Sequence, residues 1–328
     1  MIITLLECED WEKEFFKQRL HQHELHFVDE PIESGVPENT EVLVVFIYSP
    51  VTQKLLSSLP NVKLVCTRST GFDHIDLVAC ASKGVVVKNV PFYGENTVAE
   101  HTFALLLAIS RRLVEGVLRV RSGVFDPHGL EGFDLKSKTL GVVGTGHIGQ
   151  HVIRMANGFE MDVVAFDPFP NKAVQRKLGF RYADLNELLA TSDIVTLHCP
   201  YNEHTHHLLN QDNLSKIKKG AVIINTARGG LIHNEALLSA LSDGRVGFAG
   251  LDVLEEEVSI REEVEVLSKR RKGVDVHSML IDHVLINHPR VVVTPHNAFN
   301  SKEALQRILN TTADNILVSS DANVVKVK

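Results

Sequence analysis

The chain has 328 residues, 44% hydrophobic and 23% charged, with a formal net charge of −7 and four cysteines. That length exceeds one ordinary core and suits two domains, and no apolar run approaches the roughly 20 residues of a membrane span. The dispersed negative charge lacks the basic face that nucleic-acid binding exploits, and Cys8, Cys66, Cys80 and Cys199 form no C-x-x-C pair, which argues against a disulfide framework or a zinc knuckle.

In chain order, the opening run Ile2-Ile3-Thr4-Leu5-Leu6 gives way at once to Glu7, Glu9 and Asp10, unlike a secretory leader, so a reduced cytoplasmic protein is expected. Short β-branched runs at 2–6, 26–28, 42–48, 62–67 and 85–90 alternate with helical stretches. Continuous apolar strands separated by helices imply a parallel sheet covered on both faces. The segment 96–112 then shows apolar residues at helical spacing, with Asn96 as its expected cap and Arg111 and Arg112 at its expected end. A second doubly wound sheet is expected from strands at 140–143, 163–166, 194–198, 221–225, 247–251 and 291–294. Before the last of these, residues 255–273 place Ile260, Val264 and Leu267 on one stripe, acids leading and bases trailing, the pattern of a solvated amphipathic helix. A final helix over 301–318 carries Ala304, Leu305, Ile308, Thr312 and Ile316 on one face and is expected to return to the first domain.

The first strand of the second series runs directly into Gly144-Thr145-Gly146-His147-Ile148-Gly149 and then into a helix. Gly144 permits the tight turn, Gly146 lets backbone approach a pyrophosphate, and Gly149 lets the helix pack close on the strand. The next strand ends in Asp167, whose carboxylate can accept both ribose hydroxyls and would repel a 2′-phosphate, so NAD is the expected cofactor.

Further along, Asn225-Thr226-Ala227-Arg228-Gly229-Gly230, Leu251-Asp252-Val253-Leu254-Glu255-Glu256-Glu257 and Thr294-Pro295-His296 each begin on the last residue of an expected strand. With Ser69-Thr70-Gly71-Phe72-Asp73-His74-Ile75-Asp76 and Tyr93-Gly94-Glu95-Asn96-Thr97-Val98-Ala99-Glu100-His101, they make nearly the whole chain resemble the D-2-hydroxyacid dehydrogenase family. The resemblance implies an α/β protein of two doubly wound parallel-sheet domains: a Rossmann NAD-binding domain, 96–298, inserted in a flavodoxin-like substrate-binding domain formed by 1–95 and 299–328.

It also implies Arg228, Glu257 and His296 as catalytic residues. Reducing a 2-keto acid requires a cation for the carboxylate and a proton donor for the oxygen that hydride attack makes negative. Arginine grips a carboxylate through two parallel hydrogen bonds, and histidine delivers a proton near neutral pH, aided by an adjacent carboxylate. A proline commonly follows the family's glutamate, whereas Val258 follows here, which leaves Glu255 and Glu256 as alternatives for that carboxylate.

By the same resemblance, His147 and Ile148 would meet the pyrophosphate through their backbone, Cys199 and Pro200 the adenosine, and Thr205 a phosphate. Thr226 and Asp252 would lie at the nicotinamide end, with Ala227 also among the cofactor contacts. Ser69, Thr70 and Gly71 would hold the substrate carboxylate through N–H groups. Tyr93 and Phe299 would form an apolar wall, which suits pyruvate and D-lactate first and larger apolar 2-keto acids next. Alternatives are an NAD(H)-sensing binding protein of the C-terminal-binding corepressor type, or a glycerate/hydroxypyruvate-type dehydrogenase. The histidine groups His21, His23, His26 and His204, His206, His207 lack metal-ligand spacing, so no metal is expected, and the resemblance implies a homodimer.

Overall fold

Five runs rich in valine, isoleucine and leucine become strands, because such side chains fit a pleated surface buried on both faces. They are β1 (Ile2–Leu6), β2 (Glu24–Val28), β3 (Val42–Val45), β4 (Leu64–Thr67) and β5 (Val86–Lys88). All pair in parallel, in the order β2-β1-β3-β4-β5. The computed structural model describes residues 1–29, 35–255, 276–318 and 323–325. Its chain divides into two units, Met1–Tyr93 with Asn300–Lys328, and Gly94–Phe299.

In the first unit, one face of the sheet packs Leu43, Val45 and Val65 against Leu56 and Cys80 of the helices Gln53–Ser58 and Leu77–Ser82. The other packs Ile3, Leu5 and Val44 against Phe16 of the helix Asp10–Arg19 and against Leu309, Ala313 and Ile316 of the helix Lys302–Leu317. The expected stripe on that last helix is rotated slightly: Leu305 is only half-buried, whereas Leu309 and Ala313 are in the core.

Arg68, at the end of β4, fastens the carboxyl ends of these strands. It is 2% exposed, and its Nη1 donates to Glu12 Oε1 at 2.7 Å. Its Nη2 donates to the carbonyls of Leu6 and Glu7 after β1, and its guanidinium lies over the Phe46 ring after β3. The other carboxylate oxygen of Glu12 accepts from the Glu9 N–H and closes a capping box, so a single acid starts a helix and neutralises a buried cation.

The second unit holds β6 (Thr139–Val143), β7 (Asp162–Phe166), β8 (Arg181–Tyr182), β9 (Ile194–Leu197), β10 (Ala221–Asn225), β11 (Val246–Leu251) and β12 (Val291–Val293). They form one parallel sheet in the order β12-β11-β10-β9-β6-β7-β8, with core clusters on both faces. The strand order reverses at β6, whose neighbours are β7 and β9. In an open α/β sheet this switch point, at the carboxyl ends of the strands, is where a crevice forms.

Three expectations are corrected. Asn96 is not a cap: the helix is Glu95–Ser110 with Gly94 at its N-cap, and Asn96 donates from within the first turn to Glu100 at 3.2 Å. The helix does not simply end at the two arginines. Arg112 takes a left-handed φ of 52° and a new helix, Leu113–Arg121, starts behind it. β8 has no counterpart among the expected strands, since two residues between helices give no periodicity to read. The charged segment read as a helix over 255–273 lies, beyond Glu255, outside the described residues. No described helix is long and apolar enough to cross a membrane.

Candidate active site

Gly144 ends β6 with φ 96°, and a Cβ there would sit 2.7 Å from the carbonyl carbon of His198, behind β9. Gly149 faces the Gly144 carbonyl so closely that a Cβ would lie 2.1 Å from that oxygen. The helix His147–Gly158 is thereby drawn onto the strand, and its N-cap, Gly146, has open space where a Cβ would project. Among the described residues no side chain caps this helix, which leaves its N-terminal dipole as the environment a pyrophosphate requires.

Asp167, directly after β7, secures the loop. Its Oδ2 accepts from the Thr145 N–H and hydroxyl, each at 2.8 Å, and its Oδ1 from the Phe169 N–H at 2.9 Å. The Thr145 hydroxyl also meets Tyr182 of β8 at 2.9 Å. This glycine cradle, uncapped helix and strand-end carboxylate fit a dinucleotide. Beyond β9, burial pushes the Cys199 thiol up to about 11, so it stays protonated. Thr205 is tied back to the Pro200 carbonyl at 2.7 Å, which fixes the loop expected beside adenosine and phosphate.

The loop after β10 is shaped by Asn225, which is 1% exposed. Its Nδ2 donates to the Arg228 carbonyl at 2.9 Å and its Oδ1 accepts from the Ala227 N–H at 3.0 Å. Arg228 is thus presented at the head of a one-turn 3₁₀ helix, Gly229–Leu231, with its Nη1 on the Ala227 carbonyl at 2.7 Å. Thr226 is buried, its hydroxyl 3.0 Å from that of Thr102.

Asp252, after β11, organises the turn that carries His296. Its carbonyl accepts from the His296 N–H at 2.8 Å, and its carboxylate accepts from the N–H groups of Asn297 and Ala298, both at 2.8 Å. The Thr294 hydroxyl donates to the same carboxylate at 2.5 Å, and His101 Nε2 lies 3.3 Å from it. Burial raises the carboxyl's pKa, but these donors outweigh it and hold the group below the usual carboxylate range. Its contribution to stability is therefore complete above the ordinary carboxylate pKa and is lost only as pH falls through the depressed value. His296 has φ 50°, a left-handed backbone that costs a non-glycine residue roughly 1 kcal/mol or more and persists only when its surroundings enforce it. Its ring meets Phe299 edge-on, centroids 6.4 Å apart.

Other candidate residues lie in the first unit. Ser69 is buried, its hydroxyl donating to the Gly71 carbonyl at 2.6 Å, and Thr70 is held through its hydroxyl to the Val90 carbonyl at 2.9 Å. These bonds hold the 69–71 loop in shape through side chains and carbonyls. The Tyr93 carbonyl accepts from Arg307 at 2.7 Å. Glu257 lies outside the described residues. Sequence reasoning missed His101 and Thr294 as partners of Asp252, and Glu95, which stands 3.1 Å from His147 Nδ1. Spacing carries no signal for contacts between residues so far apart in sequence. Among the described residues, no group of three or more His, Cys, Asp or Glu is placed to hold a metal ion.

The family model described as D-isomer specific 2-hydroxyacid dehydrogenase, NAD binding domain, matches residues 103–298. A Haemophilus influenzae protein described as a 2-hydroxyacid dehydrogenase homolog is 38% identical over 281 residues, covering 85% of this chain and 82% of the relative. Among solved structures, the pyruvate reductase of Chlamydomonas reinhardtii matches with a TM-score of 0.84 at 37% identity, covering 97% of this chain and 96% of that one. The D-lactate dehydrogenase of Aquifex aeolicus, complexed with NAD and lactic acid, gives a TM-score of 0.86 at 35% identity, covering 97% and 94%.

The cradle geometry separates two glycine variants. Gly149→Ala must push the helix off the Gly144 carbonyl, so both the thermal midpoint and NADH affinity should fall. Gly146→Ala meets nothing among the described residues, so its midpoint should hold while NADH affinity drops about tenfold or more, equivalent to ~1.4 kcal/mol. Fluorescence titration and thermal unfolding measure both, and a Gly146→Ala variant with wild-type affinity would place the pyrophosphate elsewhere.

Proposed function

The chain belongs to the D-isomer-specific 2-hydroxyacid dehydrogenase family and is an NAD-dependent oxidoreductase; from that premise we propose that it reduces pyruvate to D-lactate, with other small apolar 2-keto acids as lesser substrates. The observation that carries this reading is the turn pinned by Asp252, which spends a strained backbone on presenting one histidine, His296. A left-handed backbone held in place by a buried carboxylate supports the reading of His296 as a residue whose orientation matters to chemistry.

When bound, NADH supplies the hydride that reaches the 2-carbon of the keto acid. In our assignment His296 gives a proton to the carbonyl oxygen as that oxygen becomes negative, and Arg228 pairs with the substrate carboxylate and steadies the developing charge. The Thr70 and Gly71 N–H groups are assigned to the same carboxylate. Tyr93 and Phe299 are assigned to the alkyl side of the substrate, an apolar environment that favours pyruvate over substrates with a second charge that would need its own counterion. Glu257 is assigned as the acid that supports His296, and Asp252 as the residue that holds the His296 turn. The names of the Chlamydomonas and Aquifex proteins support the choice of pyruvate and lactate.

We also assign the protein to a homodimer. The helix Leu113–Arg121 has no buried residue, and Leu113, Val117 and Leu118 are exposed on it, followed by Phe125 at 92% exposure. So much apolar surface on one helix and the loop behind it is the composition of a covered interface, and a second copy of the chain is the occupant the family resemblance implies.

His296→Ala should lower turnover of pyruvate by about 100- to 10,000-fold with NADH affinity retained, the usual cost of removing a general acid. Glu257→Gln should lower kcat/KM with NADH affinity likewise unchanged. A panel of 2-keto acids, glyoxylate and hydroxypyruvate, followed by NADH oxidation, tests the substrate; hydroxypyruvate turned over faster than pyruvate would overturn that choice. Sedimentation should show a dimer that Leu118→Glu dissociates, and a wild-type monomer at micromolar concentration would contradict the assignment.

A further inference from the structure

The loop after β9 bears another non-glycine residue in the left-handed region, His207, at φ 49°. Its conformation is over-determined. The His207 N–H donates to the Gly230 carbonyl at 2.8 Å, its carbonyl accepts from Asn210 Nδ2 at 3.1 Å, and its ring Nε2 lies 2.5 Å from Glu255 Oε1. The ring stacks on His206, centroids 3.7 Å apart, and lies 4.6 Å from that of His233.

These contacts converge on the segment that carries Arg228. Asn225 grips it from the β10 side, while the His207 N–H takes the Gly230 carbonyl from the other. Gly229, between them, lies so close to the chain after β11 that a Cβ would fall 2.1 Å from the Leu254 carbonyl carbon and 2.5 Å from the Glu255 nitrogen. The His207–Glu255 pair therefore ties together the loops that bracket the arginine turn.

We propose that His207 is a positioning residue for Arg228, acting through its pairing with Glu255 across the Gly229–Gly230 turn. This rests on the reading in which Arg228 holds the substrate carboxylate. It also commits the Glu255 carboxylate to His207, separating it from the support of His296. The contact joins residues 48 apart in sequence, and its loss should loosen the arginine without touching the glycine cradle or Asp167.

The test measures two affinities on the whole protein: NADH for the free enzyme, and oxamate, a keto-acid analogue with a carboxylate, for the enzyme–NADH complex. His207→Phe keeps a ring for stacking but removes the bond, Glu255→Ala removes the acceptor, and Glu255→Gln retains one. We expect His207→Phe and Glu255→Ala each to weaken oxamate about tenfold, the double variant to be no worse than either, and NADH affinity to be unchanged. Glu255→Gln should stay near wild type. Pyruvate KM should rise and kcat fall in the same two single variants, which a purely structural contact remote from substrate would not produce. Wild-type oxamate affinity in those variants, while Arg228→Ala loses it, would overturn the proposal alone. Additive losses in the double variant would do the same. Unchanged oxamate affinity in Arg228→Ala would instead overturn the role given to Arg228 and the inference with it.

Discussion

The second unit depends on one buried carboxylate. Asp252 has about four lone-pair positions on its side chain, and two backbone N–H groups, a threonine hydroxyl and a histidine ring nitrogen occupy them. A buried charge is expensive unless it is fully paired, and here the pairing fixes a turn that its own backbone preference would not choose. The same residue's carbonyl takes the His296 N–H, so both ends of Asp252 act on the turn.

Parallel strands explain why one sheet edge collects the candidate residues. Every strand in such a sheet runs the same way, so all carboxyl ends lie together. Apart from β8, each strand of the second sheet delivers at least one candidate to that edge, among them Gly144 after β6, Asp167 after β7, Cys199 after β9, Arg228 after β10, Asp252 after β11 and His296 beyond β12. The glycines make a cradle because the adjacent strand ends leave no volume for side chains at Gly144 and Gly149, whereas Gly146 opens outward. Loop chemistry and sheet topology are one arrangement here.

Much of this was legible in the sequence because the informative signals were local. Continuous apolar runs marked strands buried on both faces, and G-x-G-x-x-G followed by a strand-end acid marked the cradle. The misses were tertiary or conformational. Asn96 has the chemistry of a cap, yet Gly94 starts the helix two residues earlier and turns that side chain toward Glu100. Nothing in Arg111-Arg112 distinguishes a stop from a break followed by another helix. The partners of Asp252 come from His101, far upstream, and from Thr294 to Ala298, far downstream, so no window of sequence contains them together. In the sequence His207 is one of a histidine group without metal-ligand spacing, and only the fold reveals that it faces Glu255.

The central claim is that Asp252 serves the reaction by holding His296, and the most direct measurement is pyruvate turnover by Asp252→Asn at saturating NADH, with NADH affinity determined on the same preparation. The amide offers one acceptor oxygen in place of two and turns its own N–H groups toward backbone donors, so the turn loses its anchor. Turnover should fall about 100-fold or more, the scale of a lost general acid, with NADH affinity unchanged. A variant that binds NADH poorly yet turns over at the wild-type rate once saturated would contradict the account and move Asp252 to the cofactor.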